Sequence, residues 1–365
     1  MTDGQLVLLI LVAFTLFECA RWVPGRAWAF QSRGGGKWKG SRPFDTFRSK
    51  GGAIALLSPI PPVEAHVVAA AWPCAPHEHG LCVWDDDSGG AHHIPWDQVK
   101  PWTEGAVLHL TADHRVRCIH GTSAKEWRAL VKAWAGQTQE ERVAGFETKA
   151  QAMLDPARLV EEASAMYKQT RWLRYVGGNV FWWTFLALPF TYWRYGDQWP
   201  TLAVAGVLLV HFLVQAILLW RQVRRHPALR TDAWSHLMSV ALLPSCAMRA
   251  ADWVCATLGP ETHPLTALKA WGREEDLQKA AATAWRHARW PMGDFPMRPW
   301  DGPEVEVLRT FLASAGLDPQ AWEAPPAPQE GCSRWCPRCL TQYTAAATTC
   351  SDCAGMPLRE LPQGG

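Results

Sequence analysis

The stretch VGGNVFWWTFLALPFTYW-RYGDQWP-TLAVAGVLLVHFLVQAILLW, Val176 to Trp220, decides how this chain is organised. It holds two apolar runs, Val176 to Trp193 and Thr201 to Trp220, around a short loop carrying only Arg194 and Asp197. A helix needs about 20 apolar residues to cross the hydrocarbon of a bilayer, and each run approaches that length. Lys168, Arg171 and Arg174 precede the pair, and Arg221, Arg224, Arg225 and Arg230 follow it. Basic residues stay on the cytoplasmic side, so both flanks are expected inside and the loop outside. Trp172, Trp193, Trp199 and Trp220 stand near the ends, as an aromatic belt does. The reading is a transmembrane hairpin over residues 175–221.

Two further apolar segments bear on topology. Leu6 to Phe17 is apolar, and its flanking charge lies behind it: Asp3 alone precedes the run, whereas Arg21, Arg26, Arg33, Lys37 and Lys39 follow. A signal peptide wants its basic residues in front. Residues 1–23 therefore read as an anchor with its N-terminus outside, followed by a basic juxtamembrane linker over 24–50. The segment Trp234 to Gly259 is interrupted by His236, Pro244, Arg249 and Asp252. Charges at membrane depth are costly, so it reads as a buried or interfacial helix within a cytoplasmic helical region, 222–320. As a further span it would carry the C-terminal cysteines outside, where thiolates oxidise.

The formal net charge is +2 over 365 residues, which excludes the strong single-sign field of a general nucleic-acid binder. Eleven cysteines, an odd number in a chain this long, fit a reducing compartment with one metal site better than a disulfide framework.

Residues 51–140 read as a small cytoplasmic β/α domain. Short strand-like runs at 65–72, 79–85, 91–96, 106–112 and 114–120 are separated by turn signals such as DDDSGG. GTSAKEWRALVKAWAGQ follows as a helix, with Trp127, Leu130, Val131 and Trp134 as its apolar stripe. The pattern HGLCVWDDDSGGAHHIPWDQVKPWTEGAVLHLTADHRVRCIHGTSAKEWRALVKAW resembles the bacterial pleckstrin-homology-like domains of membrane proteins, over residues 65–136. That resemblance implies a small sheet closed by a helix and a binding or scaffolding role. The His/Cys-rich loop 74–93 carries zinc-type ligands at Cys74, His77, His79 and Cys82, with His92 and His93 beyond. Strand alternation is expected to send neighbours among them to opposite faces.

A connecting helix is expected over 141–174, capped by Asp155 with Pro156 at its first position. Beyond Pro264, amphipathic helical material breaks at Gly272, and Val305, Leu308, Phe311 and Leu312 keep helical spacing in a last helix stopped by Gly316. A Pro-rich linker at 321–331 leads into the tail, 332–360.

In the tail, Cys336-Pro-Arg-Cys339 and Cys350-Ser-Asp-Cys353 form C-x2-C-x10-C-x2-C. Each turn aims two sulfurs at one centre, and two turns supply the four thiolates of a tetrahedral Zn2+. The module resembles the zinc-ribbon family, with Leu340 where a Gly is usual after the first knuckle and Ser351 where a Pro is common in the second. The intervening LTQYTAAATT is expected to form a short hairpin. Four cysteines fill the coordination sphere, so the zinc is expected to be structural.

The fold class that follows is a multi-domain α+β membrane protein: a small antiparallel β domain with a closing helix, transmembrane helices, a helical cytoplasmic region and a C-terminal zinc ribbon. The functional expectation is a non-enzymatic scaffold, adaptor or sensor in a bacterial-type inner membrane, with its β domain and zinc ribbon cytoplasmic. The lipid bilayer and a protein partner or second copy are its expected partners. No constellation marks a small-molecule substrate. Two alternatives stand beside it: an oligomeric transport or pore component lined by Asn179, His211 and Gln215, and an enzyme using the loop 74–93 with His77, His79 and His92.

Overall fold

The computed structural model describes residues 5, 6, 9, 13, 26–31, 44–48, 68–69, 71–84, 91–118, 121–230, 233–242, 250–251, 253–255, 257–272, 274–292, 299–353 and 355–362. Most of the expected anchor, Leu6 to Phe17, lies outside them, as do Pro244, Arg249 and Asp252. The fold mixes helices with small antiparallel sheets. It divides into two compact units, Met1–Ala29 with Thr46–Val68 and Leu159–Pro260, and Phe30–Asp45 with Ala69–Arg158 and Glu261–Gly365.

Strands β1 (Arg26–Gln31), β2 (Phe44–Arg48) and β3 (Val68–Ala69) pair in the order β2-β1-β3. Strands therefore occur inside residues 24–50, where the basic composition suggested only a linker.

In the second unit, β4 (Cys74–His77), β5 (Gly80–Trp84) and β6 (Ala91–Pro95) form one antiparallel sheet. The strands β7 (Trp102–Glu104), β8 (Val107–His109) and β9 (Arg115–Arg117) form another. Helix α1 (Gly121–Trp134) packs on β7 and β8, burying Trp127, Val131 and Trp134 as the stripe predicts. Leu130, at the stripe's margin, is only half-buried. Sequence reading takes residues 74–77 as loop and TEG, residues 103–105, as a turn signal. Residues 74–77 and 102–104 are strands because a partner strand lies in register, a non-local condition.

Helix α2 (Gln139–Met153) starts at a capping box: Thr138 accepts from the Glu141 N–H, and the Glu141 carboxylate accepts from the Thr138 N–H. A break at Leu154 and Asp155 separates it from α3 (Pro156–Trp182), where Asp155 Oδ1 accepts from Ala157 N and Arg158 N. The connecting segment is thus two helices.

The segment 261–266 clasps both α1 and α2. Glu261 Oε1 accepts from Ser123 Oγ at 2.5 Å and Trp127 Nε1 at 2.7 Å, and Oε2 lies 2.7 Å from Lys149 Nζ. The Met153 carbonyl, at the end of α2, accepts from His263 N, Thr262 Oγ1 and Thr266 Oγ1. His263 also stacks on Trp72 at 4.9 Å. Helices α7 (Pro264–Trp271) and α8 (Glu274–Arg289) follow, broken at Gly272 as expected, then α9 (Pro303–Ser314), stopped by Gly316 at φ 71°. Strands β10 (Arg334–Trp335), β11 (Gln342–Tyr343) and β12 (Arg359–Glu360) form a last sheet in the order β11-β10-β12.

The first unit is built on a helical hairpin. α3 runs through a π turn at Trp183–Ala187 into α4 (Leu188–Tyr195), and α5 (Trp199–Arg225) returns beside it. Pro189 lacks an N–H and its ring crowds the preceding turn, which the wider π turn accommodates. Among the described residues α5 is the one helix long and apolar enough to cross a membrane. Phe212, Gln215, Leu219, Gln222 and Val223 form its buried seam. Leu202, Leu209, Val210, Leu213 and Ile217 are exposed on its other faces, and Trp193 and Trp199 at the turn are 80% and 78% exposed. Helix α6 (Ala233–Leu242) has only 10 residues.

Burial alone would raise the Glu261 carboxyl; the Lys149 ammonium and the hydrogen bonds from Lys149, Ser123 and Trp127 outweigh it and leave its pKa below the ordinary value. A carboxyl depressed in this way stabilises the fold above its unfolded pKa, and the contribution disappears as the pH falls through the folded value. Glu261→Gln is expected to cost about 1–2 kcal/mol at pH 7, because Lys149 then keeps only Glu126 of its two carboxylate partners, and much less under strongly acidic conditions. Denaturant melts of both chains across that pH range check the size and the sign.

Candidate metal centre

The candidate centre is built from two backbone turns. In the first, Cys336 N donates to Thr341 O and Leu340 N donates to Cys336 O. Leu340 takes φ 65°, the left-handed region in which a side chain crowds the backbone. The residue flagged as replacing a usual Gly thus adopts the backbone a Gly would adopt. In the second, Cys350 N donates to Met356 O, Gly355 N to Cys350 O and Met356 N to Cys353 O, with Gly355 at φ 83°.

These turns bring one sulfur each from Cys336, Cys339, Cys350 and Cys353 to within 4.8 Å of one another. Cys339 Sγ and Cys350 Sγ are 3.6 Å apart. Tetrahedral coordination at about 2.3 Å per sulfur sets neighbouring sulfurs about 3.8 Å apart, so the donor set fits a thiophilic metal ion. The expected hairpin within LTQYTAAATT is corrected here. Its one strand, β11, pairs back across the first knuckle with β10, while β12 pairs with the other edge of β10. The knuckle itself supplies the reversal that a separate hairpin would otherwise need.

The site has walls. Trp290 and Met356 are buried with Cys336, Cys350 and Cys353, and Met292, Tyr343 and Leu358 pack around them. Tyr343 Oη lies 3.1 Å from Cys350 Sγ. Arg338 donates to the carbonyls of His287 at 3.3 Å and Trp290 at 2.5 Å, and Arg286 Nε donates to Arg338 O. Arg359 stands over the Trp290 ring at 4.4 Å. The Pro-rich segment is also held: Glu323 accepts from Trp285 Nε1 and Arg289 Nε, and Gln342 Nε2 donates to Ala327 O. Burial pushes the Cys336 thiol up to about 12 and raises Cys353 as well. Four thiolates in this place require a cation at their centre, with Arg286 and Arg338 offsetting the residual negative charge.

The loop 74–93 behaves differently. Register places His77, Cys82 and His93 on one face of the β4-β5-β6 sheet and Cys74 and His92 on the other, while His79 sits in the turn. The quartet Cys74, His77, His79 and Cys82 is therefore not brought together, and the Cys336 cluster is the one metal-ligand group found among the described residues. Cys82 is fully buried, and burial, then Glu304 and Cys74, raise its thiol pKa well above the ordinary value. A thiol held protonated is a poor nucleophile. His77 lies 5.5 Å from His93 and 5.0 Å from Trp300, ring to ring; its pKa is lowered by burial and then by the neighbouring His93 and His79. Gly80 is required there, because a Cβ would meet Ile94 O at 2.3 Å and the His93 ring at 2.8 Å.

Sequence reading missed Glu304 in the first turn of α9. It is fully enclosed, accepts from Trp300 Nε1 at 2.6 Å, and lies close to Cys82. Its place directly after Pro303, where acids are common as helix-start residues, hid it.

Of the pore-type residues, Gln215 is fully buried and donates from Nε2 to the Leu173 carbonyl at 3.0 Å. His211 Nδ1 donates to Val207 O on its own helix, and Asn179 is exposed. The three do not share a common lining.

No protein-family model, curated protein or solved structure matches this chain.

Glu304 yields a test of sign. Burial pushes its pKa up to about 7, against hydrogen bonds from its own backbone N–H and Trp300. The folded chain then holds a proton the unfolded chain has lost, so its stability falls as the pH climbs from the unfolded pKa through about 7. Glu304→Gln is expected to remove that slope, gaining at most about 3 kcal/mol over the parent between pH 5 and pH 8. Melts at both pH values, read as the difference between the two chains, decide it.

Proposed function

We propose that this chain is a non-enzymatic integral membrane protein that works as a scaffold or adaptor, with a structural Zn2+ held by Cys336, Cys339, Cys350 and Cys353. The observation that carries the proposal is the closed four-sulfur donor set. With four protein ligands a tetrahedral ion has no position left for water or substrate, so its role is to cross-link. When bound, the ion neutralises the thiolates and ties β10, β11 and the second knuckle into one piece. So short a segment has little core of its own, and metal binding then supplies folding free energy.

The membrane part rests on the hairpin. The outward faces of α5 are apolar and exposed while its buried seam carries Gln215 and Gln222, which suits a lipid-facing helix. Exposed Trp172 and Tyr175, within α3, and Trp193 and Tyr195, at the end of α4, bracket the apolar stretch between them. Some twenty residues at about 1.5 Å each separate them by about 30 Å, the thickness of a hydrocarbon core. Arg221, Arg224 and Arg225 at the end of α5, with Arg171 in α3, favour a cytoplasmic location for both ends of the hairpin. On this reading the β domain and the cysteine module are cytoplasmic, at a bacterial-type inner membrane. Two three-stranded sheets followed by α1 suit the binding role of pleckstrin-homology-like domains. The burial of Gln215 argues against a lined pore, and the protonated Cys82 thiol argues against nucleophilic catalysis in the loop 74–93.

The test joins metal content to sidedness. One zinc per chain is expected in purified protein, falling below a tenth of that in a Cys336→Ser, Cys350→Ser double variant. After chelation, membrane-impermeant thiol reagents are expected to label Cys339 and Cys350 only in permeabilised cells. Labelling of intact cells overturns the topology, and a stoichiometry near zero overturns the zinc site.

A further inference from the structure

The hairpin contains a polar group its own fold leaves unmatched. Gln215 donates to Leu173 O, and Gln222 Nε2 donates to Gln169 O while its Oε1 accepts from Gln169 Nε2. Thr170 donates to Met166 O and Thr191 to Ala187 O. Thr184 Oγ1 and Thr201 Oγ1 find no partner but are buried, whereas Asn179 is both unmatched and exposed. Its side chain is exposed on α3 and has no hydrogen-bond partner among the described residues. Seven residues separate it from exposed Trp172, about 10 Å of rise, which on the membrane-spanning reading places it well inside the hydrocarbon layer. Lipid supplies no hydrogen bonds, so a carboxamide there is costly until another protein group meets it.

His211 lies at the same depth. The antiparallel register set by Gln215 with Leu173 and Gln222 with Gln169 puts it opposite residues 177–180. Its ring is 6.0 Å from that of Trp183, the first residue of the π turn and four positions beyond Asn179. Because Nδ1 donates to the Val207 carbonyl, Nε2 is left as an acceptor. One face of the hairpin thus presents a carboxamide with two donors and an acceptor, and an imidazole acceptor, at one level.

We propose that two copies of this chain associate within the bilayer through this face, with the Asn179 carboxamides pairing across a two-fold axis. A carboxamide is its own complement: its N–H donates to the carbonyl of an identical group, which is what a two-fold interface requires. The His211 Nε2 atoms can accept the remaining amide hydrogens. The inference rests on the membrane-spanning reading and names the partner as a second copy.

The full-length chain, tagged with a donor or an acceptor fluorophore and reconstituted in phosphatidylethanolamine–phosphatidylglycerol vesicles, is diluted with lipid while energy transfer is read. The parent is expected to self-associate, Asn179→Val to dissociate about tenfold more readily, and Asn179→Gln, which keeps the carboxamide, to stay within about twofold of the parent. His211→Phe is expected to weaken association by a smaller factor than Asn179→Val. A photo-crosslinker at Tyr175, one turn before Asn179, should give a product of twice the chain mass in native membranes. A monomeric parent in vesicles, association unchanged in Asn179→Val, or a crosslink to a different protein each overturn the inference. Alkaline carbonate extraction reads the premise separately: release of the chain from the membrane overturns the spanning reading, and this inference with it, while leaving the metal site intact.

Discussion

The second unit depends on the carboxylate of Glu261. It lies 138 residues from Ser123, yet it accepts from that hydroxyl and from Trp127 Nε1 and pairs with Lys149. A buried charge with fewer partners would be expelled by its own desolvation. With three, it fixes α1 and α2 against the start of α7. The neighbouring Thr262, His263 and Thr266 satisfy the last carbonyl of α2, so the same six residues answer for a buried charge and for a helix end that would otherwise lack donors. The chain leaves the unit after Arg158 and re-enters at Glu261. The clasp therefore closes the unit at the point of return.

The cysteine centre solves the opposite problem. Glu261 is a charge brought to existing partners, whereas four thiolates at this spacing would need a cation between them. Burial, and then the neighbouring cysteines, raise the Cys336 and Cys353 thiols, so a metal ion bound there would displace protons. The left-handed Leu340 costs on the order of 1 kcal/mol in backbone strain. On the proposed reading, coordination free energy would exceed that cost. Trp290, from the end of α8, closes one side of the site, so the module does not stand free on a linker.

Sequence reading recovers what is local. The capping of α3 by Asp155, the break at Gly272, the stop at Gly316, the stripe of α1 and both C-x2-C turns follow from neighbours within a few residues. What it loses is non-local. β4 and β7 are strands because of partners across the sheet: CAPH carries weak strand preference of its own, and the strand formers Trp102 and Thr103 are too few to mark a strand alone. The capping box of α2 was legible in Thr138-x-x-Glu141, but was passed over because no strong apolar period follows it. Glu261 and Glu304 look like surface acids, and only tertiary packing encloses them.

The hairpin shows why a polar residue in an apolar helix cannot be assigned from its identity alone. Asn179, His211 and Gln215 are equivalent in sequence terms, each a lone polar group in a hydrophobic run. Geometry separates them by what each one meets: Gln215 the backbone of the neighbouring helix, His211 its own helix, Asn179 nothing within the hairpin. The first kind of contact holds two helices together, and the second lowers the cost of a side chain without joining anything. The third leaves a demand that the monomer does not meet. In water that demand would be trivial. On the proposed membrane reading a single carboxamide favours one helix face over the apolar ones, because only that face can relieve an unpaired hydrogen bond.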